Sequence, residues 1–113
     1  MREFSLAVDI VNIAVEHAVK ANAVRVLTLE IDVGKLTGIQ VHSLEIALKA
    51  AIKETMLDGA DVKINQIEGK ARCKDCQALF DAEEINSECP NCKSHVNEMV
   101  QGQELRVRSI EVE

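Results

Sequence analysis

The stretch Cys73-Lys74-Asp75-Cys76, followed after twelve residues by Cys89-Pro90-Asn91-Cys92, holds all four cysteines of a 113-residue chain. Each pair is a C-x-x-C knuckle. Two such turns can present four thiolates to one small ion, which is what a tetrahedral Cys₄ zinc site needs. The loop between them is shorter than the roughly fifteen to twenty residues usual for a zinc ribbon, although ribbon loops vary. Four thiolates also suit iron in a rubredoxin-like arrangement, and ligand type alone does not separate the two metals. Disulfides need an oxidising compartment, and Met1-Arg2-Glu3-Phe4-Ser5 opens no uninterrupted apolar stretch of the kind a signal peptide carries. A thioredoxin-type redox pair needs only one C-x-x-C.

Outward from the knuckles, the segment from Lys70 to Val100 has few large apolar residues, namely Leu79, Phe80, Ile85, Val96 and Met99, and it contains the only proline. It reads as an inserted zinc lobe held by its metal. Structural zinc contributes roughly 10–16 kcal/mol in finger-like peptides, enough to replace a core that a short segment cannot build. Glycines bracket the lobe: Gly69 before it and Gly102 after it. The expected organisation is an α+β domain over residues 1–69 and 102–113, with a zinc-binding lobe at 70–101.

The flanks carry regular periodicity. Residues 5–22 form a helix in which Ser5, Asp9, Asn12, Glu16 and Lys20 make a polar stripe and apolar residues fill much of the rest. A helix this apolar is covered on more than one side, by a sheet and another helix. From Val24 to Val33, Leu27, Leu29, Ile31 and Val33 alternate with Thr28, Glu30 and Asp32, predicting a strand with the first set buried and the second wet. A second helix spans about Val41 to Met56, and a second strand Ala60 to Glu68. Strand, helix, strand over this length implies a right-handed crossover and parallel pairing. The final strand, Glu104 to Glu113, has Leu105 and Val107 in one phase but Ile110 and Val112 in the other, which suggests a bulge near Ser109 or burial on both faces. The fold class is α+β: two helices packed on a small mixed three-stranded sheet, with a zinc-ribbon lobe inserted before the last strand.

With two Phe, no Trp and no Tyr, the core must be built from Val, Ile, Leu and Ala. A chain of this length buries roughly 65% of its unfolded surface, enough for one modest core. The formal net charge of −6 and the missing aromatics exclude the commonest use of a zinc ribbon, nucleic-acid binding, which needs a basic stripe and stacking platforms. No apolar run is long enough to span a membrane, and the expected location is the cytoplasm. No nucleophile–base pair or phosphate-cradling glycine loop suggests an enzyme.

Several stretches in this order resemble one family. They are Met1-Arg2-Glu3-Phe4-Ser5-Leu6-Ala7, Ile31-Asp32-Val33-Gly34-Lys35-Leu36, the Cys73/Cys76/Cys89/Cys92 quartet, and Gly102-Gln103-Glu104-Leu105-Arg106-Val107-Arg108-Ser109-Ile110-Glu111. Together they resemble the HypA/HybF metallochaperones, which insert nickel during [NiFe]-hydrogenase maturation. The resemblance implies a nickel-binding α+β domain, a structural zinc ribbon, and a carrier rather than a catalyst. It also implies work with a HypB-type GTPase and the hydrogenase large subunit, in some members supply to urease, and compatibility with a homodimer. Nickel in that family is held at the N-terminus by the amine of the starting methionine, the next backbone nitrogen and a histidine at position two, with an acidic residue at position three. Met1 and Glu3 match; position two is Arg2. A guanidinium stays protonated and offers no lone pair, so Arg2 cannot replace that ligand, and its charge opposes a nearby dication. Three readings stay open: a deliberately altered residue at position two, nickel bound through Glu3 and a histidine brought close by folding or dimerisation, or a zinc-ribbon interaction adaptor that does not carry nickel.

The remaining candidates have simpler readings. His17 sits where a helix C-terminal dipole favours a cation, and His42 opens the second helix on its polar side. His95, three residues beyond Cys92, could donate to a thiolate or replace one. Glu3 suits the first turn of a helix. Asp81, Glu83, Glu84 and Glu88 read as a solvated acidic run, and Arg106 and Arg108 as partners in cross-strand charge pairs.

Overall fold

In the computed structural model, which describes residues 2–113, two α-helices, a single 3-10 turn (Lys35–Thr37) and six strands are formed; the helices and strands follow in the order α1 (Arg2–Lys20), β1 (Val26–Gly34), α2 (Val41–Ala51), β2 (Asp61–Ile67), β3 (Lys70–Cys73), β4 (Leu79–Asp81), β5 (Asn97–Gln101) and β6 (Leu105–Val112). They make two three-stranded sheets, β2-β1-β6 and β4-β3-β5. The chain divides into two compact units: residues 1–32, 39–65 and 106–113, and residues 33–38 with 66–105. No helix among the described residues is long and apolar enough to cross a membrane.

In the first unit, α1 buries Ala7, Ile10, Val11, Ala14 and Ala18, a single face at helical spacing. Three of the five are alanines, which let α2 approach closely with Leu44, Ala47 and Leu48. Val26, Leu29 and Ile31 complete this aliphatic core from β1, with Ile52 and Leu57 from beyond α2. The helix begins at Arg2 rather than residue 5 and stops at Lys20. Asn22 is left-handed, with φ 57°. The Ala23 N–H reaches Ala18 O, and the Asn22 N–H reaches Val19 O. That is a Schellman ending, with asparagine where glycine is usual.

Helix α2 ends at Ala51, five residues before the expected Met56. Glu54 turns left-handed, the Thr55 hydroxyl bonds Ile52 O, and Val26 N donates to Met56 O. Unwinding there places Leu57 at 0% exposure, a gain that continued helix does not offer.

Arg25 and Glu113 exchange backbone bonds while Gly34 N donates to Glu104 O, so β1 and β6 run antiparallel. Asn65 sits beside Glu30 and Asp32 and Glu68 beside Lys35; these numbers rise together, as in a parallel pair. The sheet is mixed, as expected. The alternation in β1 holds only in part, because Leu27 is 38% exposed whereas Asp32, expected on the wet face, is 0% exposed. Arginines from β6 cover it. In β6 the half-buried positions are Leu105, Val107 and then Ile110, the change of phase expected near Ser109.

Candidate metal centre

The second unit builds its metal site on β3. This strand is the centre of its sheet and pairs antiparallel with β4 and β5. Its last residue is Cys73, and the first knuckle turns immediately after. The second knuckle repeats the same turn. Cys73 N donates to Ala78 O and its carbonyl accepts from Gln77 N; Cys89 N donates to Ser94 O and its carbonyl accepts from Lys93 N. Gln77 (φ 66°) and Lys93 (φ 68°) are both left-handed. Each directly follows the second cysteine of its pair, and neither was singled out from sequence. The signal was there: a C-x-x-C turn that closes on its own carbonyl needs φ > 0 at the next position, normally met by glycine or asparagine.

The two turns bring all four sulfurs within 4.8 Å of one another. Cys73 Sγ lies 3.5 Å from Cys92 Sγ, and Cys76 Sγ 3.6 Å from Cys89 Sγ. These gaps are well beyond the roughly 2.05 Å of a disulfide; all four thiols are free. A Zn–S bond of about 2.3 Å sets a tetrahedral sulfur–sulfur edge of about 3.8 Å. The cluster therefore fits structural zinc with shifts of an ångström or less. Cys73 and Cys89 are buried, Cys76 is half-buried and Cys92 exposed, so the site is closed on one side by its own lobe.

Electrostatics favour a cation here. The Asn91 side chain, then the Ala78 backbone, hold the Cys76 thiol down to about 6 against partial burial. At Cys92 the Ser94 backbone favours the thiolate, but Cys73, partial burial, Cys76 and Cys89 together outweigh it and push the thiol up to about 12. One thiolate forms readily beside the others and the next is resisted. A dication removes that resistance, and its binding expels protons.

The lobe has little else to hold it. Its core is Ala71, Phe80 and Ala82 with the two buried cysteines, flanked by Cys76, Ala78 and Met99. Leu79, Ile85 and Val96 are each at least half exposed. His95 does not turn to the sulfurs: its Nδ1 lies 3.0 Å from Asn86 O, and since a carbonyl only accepts, the ring donates there. Asp81, Glu83, Glu84 and Glu88 are exposed, as a solvated run should be.

At the other candidate site, Met1 lies outside the described residues. Arg2 Nη2 is 3.4 Å from Glu3 Oε2, and the same oxygen is 3.5 Å from Gln40 N. A hydrogen bond from its own backbone, opposed by partial desolvation and helped by Gln40 and Arg2, holds the Glu3 carboxyl below its usual range. Among the described residues, the four cysteines are the one group of three or more His, Cys, Asp or Glu side chains close enough to hold a metal.

A family model described as hydrogenase/urease nickel incorporation, metallochaperone, HypA, matches residues 1–112. The chain belongs to the HypA family. It is 39% identical over 110 residues to the hydrogenase maturation factor HypA of Parabacteroides distasonis, covering 97% of this chain and 96% of that one. It is 36% identical to the HypA of Azotobacter vinelandii over the whole of both chains. The solution structure of the Ni metallochaperone HypA from Helicobacter pylori superposes with a TM-score of 0.71 at 23% identity, over 97% of this chain and 96% of that one; at that identity the likeness speaks for the fold. HypA proteins are metallochaperones of nickel incorporation and hydrogenase maturation factors.

Proposed function

We propose that this chain is a HypA-type accessory factor for nickel-enzyme assembly. Cys73, Cys76, Cys89 and Cys92 hold a structural zinc, and Arg2 weakens the N-terminal nickel site. The observation that carries this is the convergence of four sulfurs within 4.8 Å in a chain matched by the family model over residues 1–112. The 1–69 and 102–113 segments serve as the nickel-type domain and 70–101 as the zinc lobe, acting in the reducing cytoplasm, where thiolates stay available. Its partners are a HypB-type GTPase and the hydrogenase large subunit.

The pairing of Arg2 with Glu3 favours a second reading. The carboxylate that would accompany nickel is engaged by a fixed cation, as suits an adaptor that keeps partner binding without the metal. Titration calorimetry with Ni²⁺ decides between the two. Arg2→His restores an imidazole donor beside the N-terminal amine and gains tight nickel binding if Arg2 is the block; equal affinities in the two chains place the site elsewhere. Pull-down with the GTPase, with and without nickel, reads the adaptor function separately.

A further inference from the structure

We propose that Cys92 is a peroxide-sensitive site, on the reading of the four cysteines as a structural zinc centre: oxidation of its sulfur ends in a disulfide to Cys73 and sheds the metal. The cluster is unevenly covered. Cys73 and Cys89 are at 0% exposure, whereas Cys76 is half-buried and Cys92 exposed. Cys92 also stands on an open turn, since Pro90, Asn91 and Lys93 around it are exposed as well. His95, from the same loop, bonds Asn86 O instead of the sulfurs. With zinc bound all four sulfurs are thiolates, so access, and not ease of ionisation, selects the one that a small oxidant meets.

The fold also supplies the second sulfur. Cys73 Sγ lies 3.5 Å from Cys92 Sγ, and Cys76 Sγ 3.6 Å from Cys89 Sγ. Both contacts cross from one knuckle to the other, and each joins a buried sulfur to a more accessible one. Closing either contact to a disulfide takes about 1.5 Å of approach. Hydrogen peroxide is the co-reactant. The Cys92 sulfur attacks one peroxide oxygen, the O–O bond breaks, and an S–OH group forms while hydroxide leaves and takes a proton from solvent. The Cys73 sulfur then attacks the Cys92 sulfur, forming the S–S bond and expelling the second oxygen as water. The sulfur pair gives up two electrons, and one peroxide becomes two waters. Two of the four ligands are then lost to the ion, which leaves. The new bond ties the knuckles together as the metal did, so a thiol reductant restores the whole ligand set within reach. Cytosolic disulfides of this kind are transient and redox-sensing.

Peroxide titration of the zinc-loaded full chain, beside a chromophoric chelator too weak to strip zinc unaided, tests the proposal. Metal analysis beforehand separates the two claims: a chain that takes up no zinc on reconstitution overturns the reading of the site itself. About one equivalent of peroxide is expected to release the zinc, halve the count of free thiols and give a Cys73–Cys92 disulfide on peptide mapping. Excess peroxide adds Cys76–Cys89, and dithiothreitol returns every thiol together with zinc uptake. Cys92→His keeps a zinc-competent Cys₃His set, and its zinc release is slower by about tenfold or more because the accessible thiolate is gone. Mapping on the parent chain decides the matter even where that variant fails to fold. A first disulfide within a knuckle, Cys73–Cys76 or Cys89–Cys92, overturns the proposal. So do zinc retained at about ten equivalents of peroxide, Cys92 carried to sulfinic acid with no disulfide, or equal release rates from Cys92→His and the parent.

Discussion

Asp32 is the residue at which alternation misleads. Counting along β1 assigns it to the wet face, yet its carboxylate is fully covered by Arg106 at 2.9 Å and Arg108 at 3.2 Å, with Asn65 donating at 3.1 Å. The arginines themselves are more than half exposed, so the cover is one side chain thick. Burial alone would raise its pKa, but Asn65, Arg106 and Arg108 prevail and hold it below the ordinary carboxylate range. A depressed folded value means that the contribution is complete above the unfolded pKa of about 4 and is lost as pH falls through the lower folded value. Asp32→Asn should cost about 1–3 kcal/mol at neutral pH, towards the low end because the arginine heads keep their water. The variant's stability should then change less than the parent's on acidification below pH 4, which urea melts across that range would show. Arg106 and Arg108 were legible in advance as partners in cross-strand charge pairs; the depth of Asp32 was not, because cover comes from the neighbouring strand. Lys93 is another residue that local pattern leaves unmarked. A side chain at φ 68° costs about 1–2 kcal/mol relative to a relaxed backbone, so Lys93→Gly should stabilise the lobe by up to about 1 kcal/mol, read as slower zinc loss to a competing chelator.

At the scale of elements, what was legible is what periodicity and knuckle spacing control. Both helices, the main-sheet strands, the change of burial phase in β6 and the ligand turns lie where the chain's pattern puts them. The end of α2 was not legible, because Lys49 to Thr55 contains neither glycine nor proline and the helix stops for the sake of Leu57 and the Met56–Val26 bond. Another tertiary feature is the close crossing within the second unit. A Cβ on Gly34 would stand 2.0 Å from Gly102 O, and Gly102 itself is at φ 113° with its missing Cβ aimed 2.6 Å from the Gly69 backbone. Backbone meets backbone there, with no flexible side chain to yield. Leu36 N also donates to Gly102 O, which fixes the approach. Gly34→Ala should therefore cost about 3 kcal/mol, the upper end of ordinary point substitutions. A conservative change at an exposed position such as Lys63→Ala should stay within about 0.5 kcal/mol. Thermal melts of the two variants beside the parent check the contrast.

For the whole molecule, the two units differ in what stabilises them. The first has a continuous aliphatic core on two helices and β1. The second, beyond Val33 at the end of β1, has one buried aromatic, two buried alanines and two buried cysteines, too little apolar area to offset the entropy of ordering a segment of this length. Its order must come from the metal, as the cysteine spacing against so apolar-poor a segment already implied. Protons compete for the same thiolates, so zinc affinity falls with acidification, most steeply once even the readily ionised Cys76, at about 6, is protonated. Stripping the zinc with a strong chelator at neutral pH, or lowering the pH to about 4, should collapse the dispersed amide signals of residues 70–101 while the helical signal of α1 and α2 persists. Cys89→Ser should reproduce the collapse without a chelator, because three thiolates with a weak oxygen donor in the fourth position hold zinc far less tightly than four. If the lobe keeps its dispersion when atomic absorption shows less than about a tenth of an equivalent of zinc, the metal is dispensable to the fold and the small core must suffice, contrary to the entropy estimate.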